Sequence, residues 1–530
     1  MWILIWWSVT LAHGAERAPG ILPPVLCGTP AFIDLEVPEP APAPRVDSLA
    51  SDKAIRDAYG VTANVHETDN FVFRWGGSGG VTIAEVERLA DAFEASWLEQ
   101  VDLQGHPVPY GADDFRFNVY IGGSGGGTPS DGGAAGYFSS DPEGWPMVVV
   151  GASTLDDPEY ADITAAHEFY HAIQGATERY AYAGDSAWFW EASATWASST
   201  VYPGNLNYAT FLFSYAYLPH YPVNFFDYPT RGELPEFYQY GSFIVPFHLA
   251  EITADRELIR DVWTARAPAD DPLSMLQLLM DERGLSFEEA FLDHAARMAT
   301  FDYPDGDAYA DYVNAYERYY SESGNTVAAE VDPEGTGGQI DGPAGLEPYR
   351  YGYNAIRIDI GAASQVAVEV HGAAQGSRRS AAQWGAKLVV ATRSARTYHD
   401  VAFDEHVGSA TLTGLDGQTV WLVVAPWTSE TRYFDTETFA YRYSVQLGTG
   451  PEDTGGEAGD DTASLGADTE DTAAAEDTAA FGSSGTRRSG KEAAGCGCTT
   501  GSAGGMSMIW LGALFAAACR RASPWSDSTC

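Results

Sequence analysis

The stretch AAHEFYHAIQGATERYAYAGDSAWFWEASATWAS, residues 165–198, restricts the fold of this chain more than any other. It follows DDPEYADIT, where Asp162 is placed to cap a helix and the early acidic residues suit a helix N-terminus. Ile163, Ala166, Phe169, Tyr170 and Ile173 recur at helical spacing, so one stripe of the helix faces a core. Residues four apart share a helical face, so His167 and His171 project side by side. Glu168 lies ~100° round the axis, close to the histidines but displaced from them. Twenty residues after His171 comes Glu191, within DSAWFWEASATWAS, an Ala- and Trp-rich segment that reads as a second helix.

Two histidines on a partly buried helix are the plain alternative, because an H-E-x-x-H match arises by chance in roughly 1 in 100 chains of this length and composition. Glu191 decides between the two readings. A carboxylate flanked by Trp188, Phe189, Trp190 and Trp196 is costly to bury unless a cation meets it. Two helices joined by a loop and presenting His167, His171 and Glu191 form a three-ligand zinc site with a position left for water. A continuation with Gly three and His six residues past the second histidine is missing, since those positions hold Gln174 and Thr177.

HEFYH with Glu191 downstream resembles the gluzincin metallopeptidases, whose third ligand is a glutamate on the following helix. More narrowly, it resembles the secreted metalloproteases of myxobacteria, over about residues 48–325. The resemblance implies an α+β zincin-like metallopeptidase domain that binds Zn2+ through His167, His171 and Glu191. Glu168 is then the general base that takes a proton from activated water and passes it to the leaving amine. Thermolysin-like gluzincins carry, four residues past the ligand Glu, an Asp that orients a ligand histidine; here the position is Thr195. For the donor that meets the oxyanion, Tyr240 in FYQYGSF is the first candidate, with Tyr238 and His248 behind it. Each of those three is otherwise a helix-face aromatic or a satisfied core histidine.

At 530 residues the chain has room for two or three units. Its formal net charge of −45 excludes nucleic acid and anionic lipid as electrostatic partners and suits an exported protein kept soluble by self-repulsion. MWILIWWSVTLAHGAER reads as a signal peptide over residues 1–15, although it lacks a basic start. The cysteines, Cys27, Cys496, Cys498, Cys519 and Cys530, outline no disulfide framework. None lies near the histidines along the chain, and none is expected to be a metal ligand.

Residues 16–47 are a Pro-rich linker or pro-segment, followed by the metallopeptidase domain over 48–329. Within that domain NFVFRWG, FRFNVYIG and WPMVVVGAS read as strands, and residues 82–100 as a helix opened by a Thr82/Glu85 capping box. IGGSGGGTPSDGGAAGY, residues 121–137, reads as a flexible surface loop, with too little charge for a phosphate or calcium loop. Residues 240–303 read as a run of helices. Past a linker at 330–346, alternating runs such as NAIRIDIG, QVAVEVHG, TVWLVVAPW and FAYRYSVQLG predict an all-β sandwich accessory domain over 347–449. Residues 450–494 form an acidic linker expected to be disordered. Residues 495–530 combine Gly-Cys-Gly-Cys, a short apolar segment and Arg520-Arg521, and resemble the myxobacterial C-terminal sorting tail. Transient membrane engagement of that tail, delivery to the cell surface or medium, a protein or peptide substrate and a monomeric state complete the expectation. The competing reading is a surface adhesin, with a vestigial zincin half and a sandwich that binds the ligand.

Overall fold

The structure, a computed structural model, describes residues 27–32, 53–61, 63–228, 233–266, 269–320, 324–332, 337–372, 382–428 and 437–449. The expected signal peptide, most of the Pro-rich stretch, the acidic run and the C-terminal tail lie outside the described residues. Among the described residues the chain is α+β, with three five-stranded sheets.

A short helix, α1 (Thr29–Phe32), precedes the first sheet. That sheet comprises β1 (Asn64–Glu67), β2 (Phe71–Trp75), β3 (Phe117–Gly122), β4 (Gly136–Ser140) and β5 (Pro146–Gly151), in the order β1-β2-β3-β5-β4. The pairs β2–β3 and β3–β5 are parallel, while β1 and β4 run antiparallel on the two edges. Parallel strands are covered on both faces, and all five residues of β2 are buried. Phe71 of β2 packs on Phe93 of α2 (Ile83–Ser96) and on Phe169 of α3 (Pro158–Thr177), with ring centroids 5.2 Å apart in each case. The Thr82/Glu85 capping box is present at the start of α2.

Helix α3 begins earlier than expected. Its cap is Asp157, whose carboxylate accepts the Glu159 and Tyr160 N–H groups, and Pro158 fills the first helical position. Proline there needs no donor and already has the helical φ, so Asp162 falls inside the helix and caps nothing. The expected stripe is buried, but so are the residues between its members from Ile163 to Gln174. Helix α4 (Ala187–Val201) packs on α3 and is buried from Ala187 to Ser199.

Strand β4 arises from the end of the glycine-rich segment that reads as loop. A Cβ on Gly136 would stand 2.9 Å from the Glu168 Cγ and 3.1 Å from the Val149 carbonyl oxygen. The bare backbone at that position is what lets β4 lie directly over the middle of α3.

Beyond α4 the chain is helical through α5 (Leu212–Tyr217), α6 (Tyr238–Gly241), α7 (Ile244–Thr253), α8 (Glu257–Thr264), α9 (Pro272–Glu282), α10 (Phe287–Met298), α11 (Gly306–Ala315) and α12 (Glu317–Tyr320). Ten strands follow: β6 (Ala329–Val331), β7 (Gln339–Asp341), β8 (Asn354–Ile358), β9 (Gln365–Gly372), β10 (Ala382–Ala391), β11 (Arg396–Asp400), β12 (Ala402–Asp404), β13 (Val407–Thr413), β14 (Thr419–Thr428) and β15 (Tyr441–Gly448). They form one sheet ordered β11-β10-β14-β8-β6 and another ordered β12-β13-β9-β15-β7. The stretch expected as a linker contains β7 and the end of β6, and these two strands belong to different sheets.

Ile356, Ile358, Val366, Val368 and Val370 join one apolar cluster drawn from both of these sheets. The opposite face of the first sheet is also covered. Ala355, Val389, Val423 and Ala425 belong to the same core as Phe291 and Leu292 of α10. Strands β10 and β14 are therefore buried on two sides, which is why LVV recurs in both without polar interruption. The described residues fall in one compact unit.

Candidate metal and catalytic site

Helices α3 and α4 lie side by side, so His167 and His171 of one face Glu191 of the other. The two imidazole Nε2 atoms are 3.1 Å apart. Glu191 Oε2 stands 3.1 Å from the His167 Nε2 and 3.6 Å from the His171 Nε2. A fourth group completes the cluster: Cys27 Sγ lies 3.5 Å from His171 Nε2. All four side chains are buried, their ligand atoms lie within 4.8 Å of one another, and the cluster could hold a metal ion. Cys27 thus joins the group that could hold a metal, where no cysteine was expected to be a ligand. It approaches the cluster across a separation of 144 residues, which no motif spacing reveals.

Each donor on α3 and α4 is held from behind. Gln174 donates both amide hydrogens, to the Trp190 carbonyl at 2.9 Å and to Ser193 Oγ at 3.0 Å. Its own carbonyl oxygen therefore faces His171 Nδ1, 2.6 Å away, and that nitrogen must be the donor. In the neutral ring Nε2 of His171 then carries the lone pair that faces the cluster, the arrangement metal-binding histidines use. Thr195 Oγ1 stands 3.5 Å from His167 Nδ1, in the position where thermolysin-like enzymes carry Asp. Tyr182 donates its hydroxyl to Glu191 Oε1, leaving Oε2 for the histidines.

The charges of the cluster support one another. Burial opposes ionisation of Glu191, but the two histidines outweigh it and hold its carboxyl down at about 2. Burial likewise works against a charged His171, yet Glu191 pushes its pKa up overall. Glu168 differs. Its burial raises the pKa above the usual carboxylate range, and the neighbouring histidines only partly offset this. Burial, followed by the charges of Glu168 and Glu191, pushes the Cys27 thiol well up.

A small cavity of about 40 Å³ adjoins the cluster and is lined in part by His167, Glu168, Thr195, Phe211 and Tyr240. Tyr240 is buried, its ring 6.2 Å from that of His167, and its hydroxyl donates to the Cys27 carbonyl at 3.4 Å. The other two oxyanion candidates lie elsewhere. Tyr238 donates to the Tyr221 carbonyl at 3.3 Å, and His248 packs 5.5 Å from His294, with burial pushing its pKa down to about 4. Besides Cys27, sequence reasoning missed Gln174 as the partner of His171 and Tyr182 as the partner of Glu191. Gln174 lies on the face of α3 three residues past His171, where a partner of that histidine can be sought by spacing alone.

Fold and site define an α+β protein with a buried Cys-His-His-Glu cluster able to hold a metal ion. Residues 51–449, about three-quarters of the chain, match the Family of unknown function (DUF6055), and the chain belongs to that family. None of the curated proteins matches it. Among solved structures it is similar to the pre-peptidase C-terminal domain of a collagenase from Bacillus anthracis, at 13% identity over 22% of this chain and 94% of that one. The TM-score is 0.15, too slight a likeness to bear on fold or function.

Proposed function

We propose that the chain is a zinc-dependent peptidase of gluzincin type, with a zincin-like half carrying the site and a two-sheet sandwich packed behind it. One observation carries the reading. His167, His171 and Glu191 converge on a point, while Glu168 stands off that point and lines the adjoining cavity with Tyr240. Ligands of tetrahedral zinc, at ~2.0–2.1 Å for nitrogen or oxygen and ~2.3 Å for sulfur, stand roughly 3.3–3.6 Å from one another. Four of the six separations in the cluster, 3.1, 3.1, 3.6 and 3.5 Å, fall close to that scale, and the two from Cys27 to His167 and Glu191 lie within 4.8 Å. A nitrogen, nitrogen, oxygen and sulfur donor set also suits zinc over magnesium or calcium.

Zinc, when bound, supplies Lewis acidity that activates water and polarises a carbonyl. The residues of the chain do the rest. His167, His171 and Glu191 hold the ion, with Gln174, Thr195 and Tyr182 fixing their orientation. Glu168 accepts the proton of the attacking water at its carboxylate and returns it to the departing amine. Tyr240 donates its hydroxyl toward the oxygen that gains charge. A peptide substrate is supported by β4, an edge strand whose Gly136 carbonyl accepts a backbone N–H from outside the sheet at 2.8 Å.

The test combines zinc content with casein hydrolysis, with and without chelator, on the wild-type chain and on Cys27→Ala, because Cys27 lies in the site. Hydrolysis that needs zinc and falls at least ~10²-fold in Glu168→Gln, with zinc retained, is expected. A zinc-loaded protein inert both with and without Cys27 would contradict it and favour the binding-protein alternative.

A further inference from the structure

The cavity beside the cluster is met by a piece of the same chain, and that piece touches His171, Glu168 and Tyr240. We propose that residues 27–32 form an autoinhibitory strap, with the Cys27 thiolate as fourth ligand to the metal held by His167, His171 and Glu191. The inference rests on the reading of that cluster as a metal site.

Five contacts carry it. Cys27 Sγ lies 3.5 Å from His171 Nε2, and sulfur and nitrogen ligands of one tetrahedral zinc stand roughly 3.5 Å apart. The Thr29 hydroxyl donates to Glu168 Oε2 at 3.1 Å, so the proposed base is already engaged. The Cys27 carbonyl accepts the Tyr240 hydroxyl at 3.4 Å, occupying the proposed oxyanion donor. Along the free edge of β4, the Gly28 N–H donates to the Gly136 carbonyl at 2.8 Å and the Phe138 N–H donates to Thr29 Oγ1 at 2.9 Å. An extended substrate would need the same strand edge, the same base and the same donor. The strap holds all of them at once, and with its thiolate it also closes the ligand position that a catalytic zinc keeps open for water.

The sulfur is held for this role. The Thr29 N–H donates to Cys27 Sγ at 3.3 Å, and both residues are buried. The strap precedes residue 51, where the family match begins, so the inhibitory contact comes from outside the matched region. Displacing six residues would leave a three-ligand site facing the cavity, with Glu168 and Tyr240 released together.

Cobalt substitution in the full-length chain reads the proposal without relying on activity. The wild type should show thiolate-to-cobalt charge-transfer absorption in the near ultraviolet. Cys27→Ala should bind cobalt in the same amount and lack that band. Alkylation followed by peptide mass mapping should find Cys27 protected in the metal-loaded chain and labelled once a chelator removes the metal; this arm and the wild-type spectrum need no variant to fold. In the zinc form, Cys27→Ala should cleave casein at least ~10-fold faster than wild type, as expected when a blocked state dominates. Cobalt bound without a thiolate band, or a variant that cleaves casein at the same measurable rate as wild type, would overturn the strap while leaving the metal site standing. Absence of metal from the wild type would overturn both.

Discussion

The α3–α4 pair and the 27–32 segment contribute to one cluster on very different terms. The pair supplies three donors from residues 167–191, on helices buried along most of their length. Behind those donors stand Gln174, Thr195 and Tyr182, and Gln174 is itself held by the Trp190 carbonyl and Ser193. The segment supplies a single sulfur from a six-residue piece. Its polar attachments are few, through Gly28, Thr29 and the Cys27 carbonyl, and a typical hydrogen bond of this kind is worth only ~0.5–1.5 kcal/mol net. One ligand group is built to stay and the other can be displaced, a distinction that lies in packing and not in ligand chemistry.

The strongest way to break that comparison is Glu191→Gln. The substitution keeps the shape but removes the charge that the two histidines and the Tyr182 hydroxyl surround, so elemental analysis should find most of the metal gone. Full retention would move the third permanent ligand elsewhere. A smaller effect is expected from Gln174→Leu, which leaves every ligand in place but frees His171 Nδ1 and with it the ring orientation. Loss of such an outer partner typically weakens metal affinity ~10–100-fold, measurable by competition with a chromophoric chelator; unchanged affinity would show that α3 packing alone holds the ring. Thr29→Val sharpens the other side. It removes the hydroxyl between Glu168 and the Phe138 N–H, costs the strap about 1 kcal/mol, and should raise basal hydrolysis roughly fivefold, with metal content unchanged. A rate equal to wild type would mean that Thr29 does not help hold the strap down.

How legible each part was follows from the range of the contacts involved. His167 and His171 could be paired from their spacing because a helix puts residues four apart on one face. Glu191 stood out because a carboxylate amid Trp188, Trp190 and Trp196 demands a partner. Cys27 carried no local sign: its contact with His171 depends on how the chain returns along β4, and β4 was itself hidden in a glycine-rich stretch. Gly136 reads as loop by composition, yet it is strand because nothing larger fits over Glu168. Asp157-Pro158, an acidic cap followed by a first-turn proline, opens α3 five residues before Asp162, because a proline at the first helical position favours that start. Strands β8, β9, β14 and β15 were visible as apolar runs. That β14 is covered on both faces, by the second sheet and by α10, depends on packing that periodicity does not record.

The most direct test of the central claim is the rate of peptide cleavage per bound zinc in Cys27→Ala, compared with the same chain also carrying Glu168→Gln. The ligands on α3 and α4 are identical in the two proteins, so zinc content should match, and the near-isosteric change should leave the melting temperature close to its parent's. The account predicts a fall of at least ~10²-fold in cleavage per zinc when the carboxylate is removed. Equal cleavage per zinc in the two proteins would contradict it, because Glu168 would then be a bystander beside the metal and not the group that moves the proton.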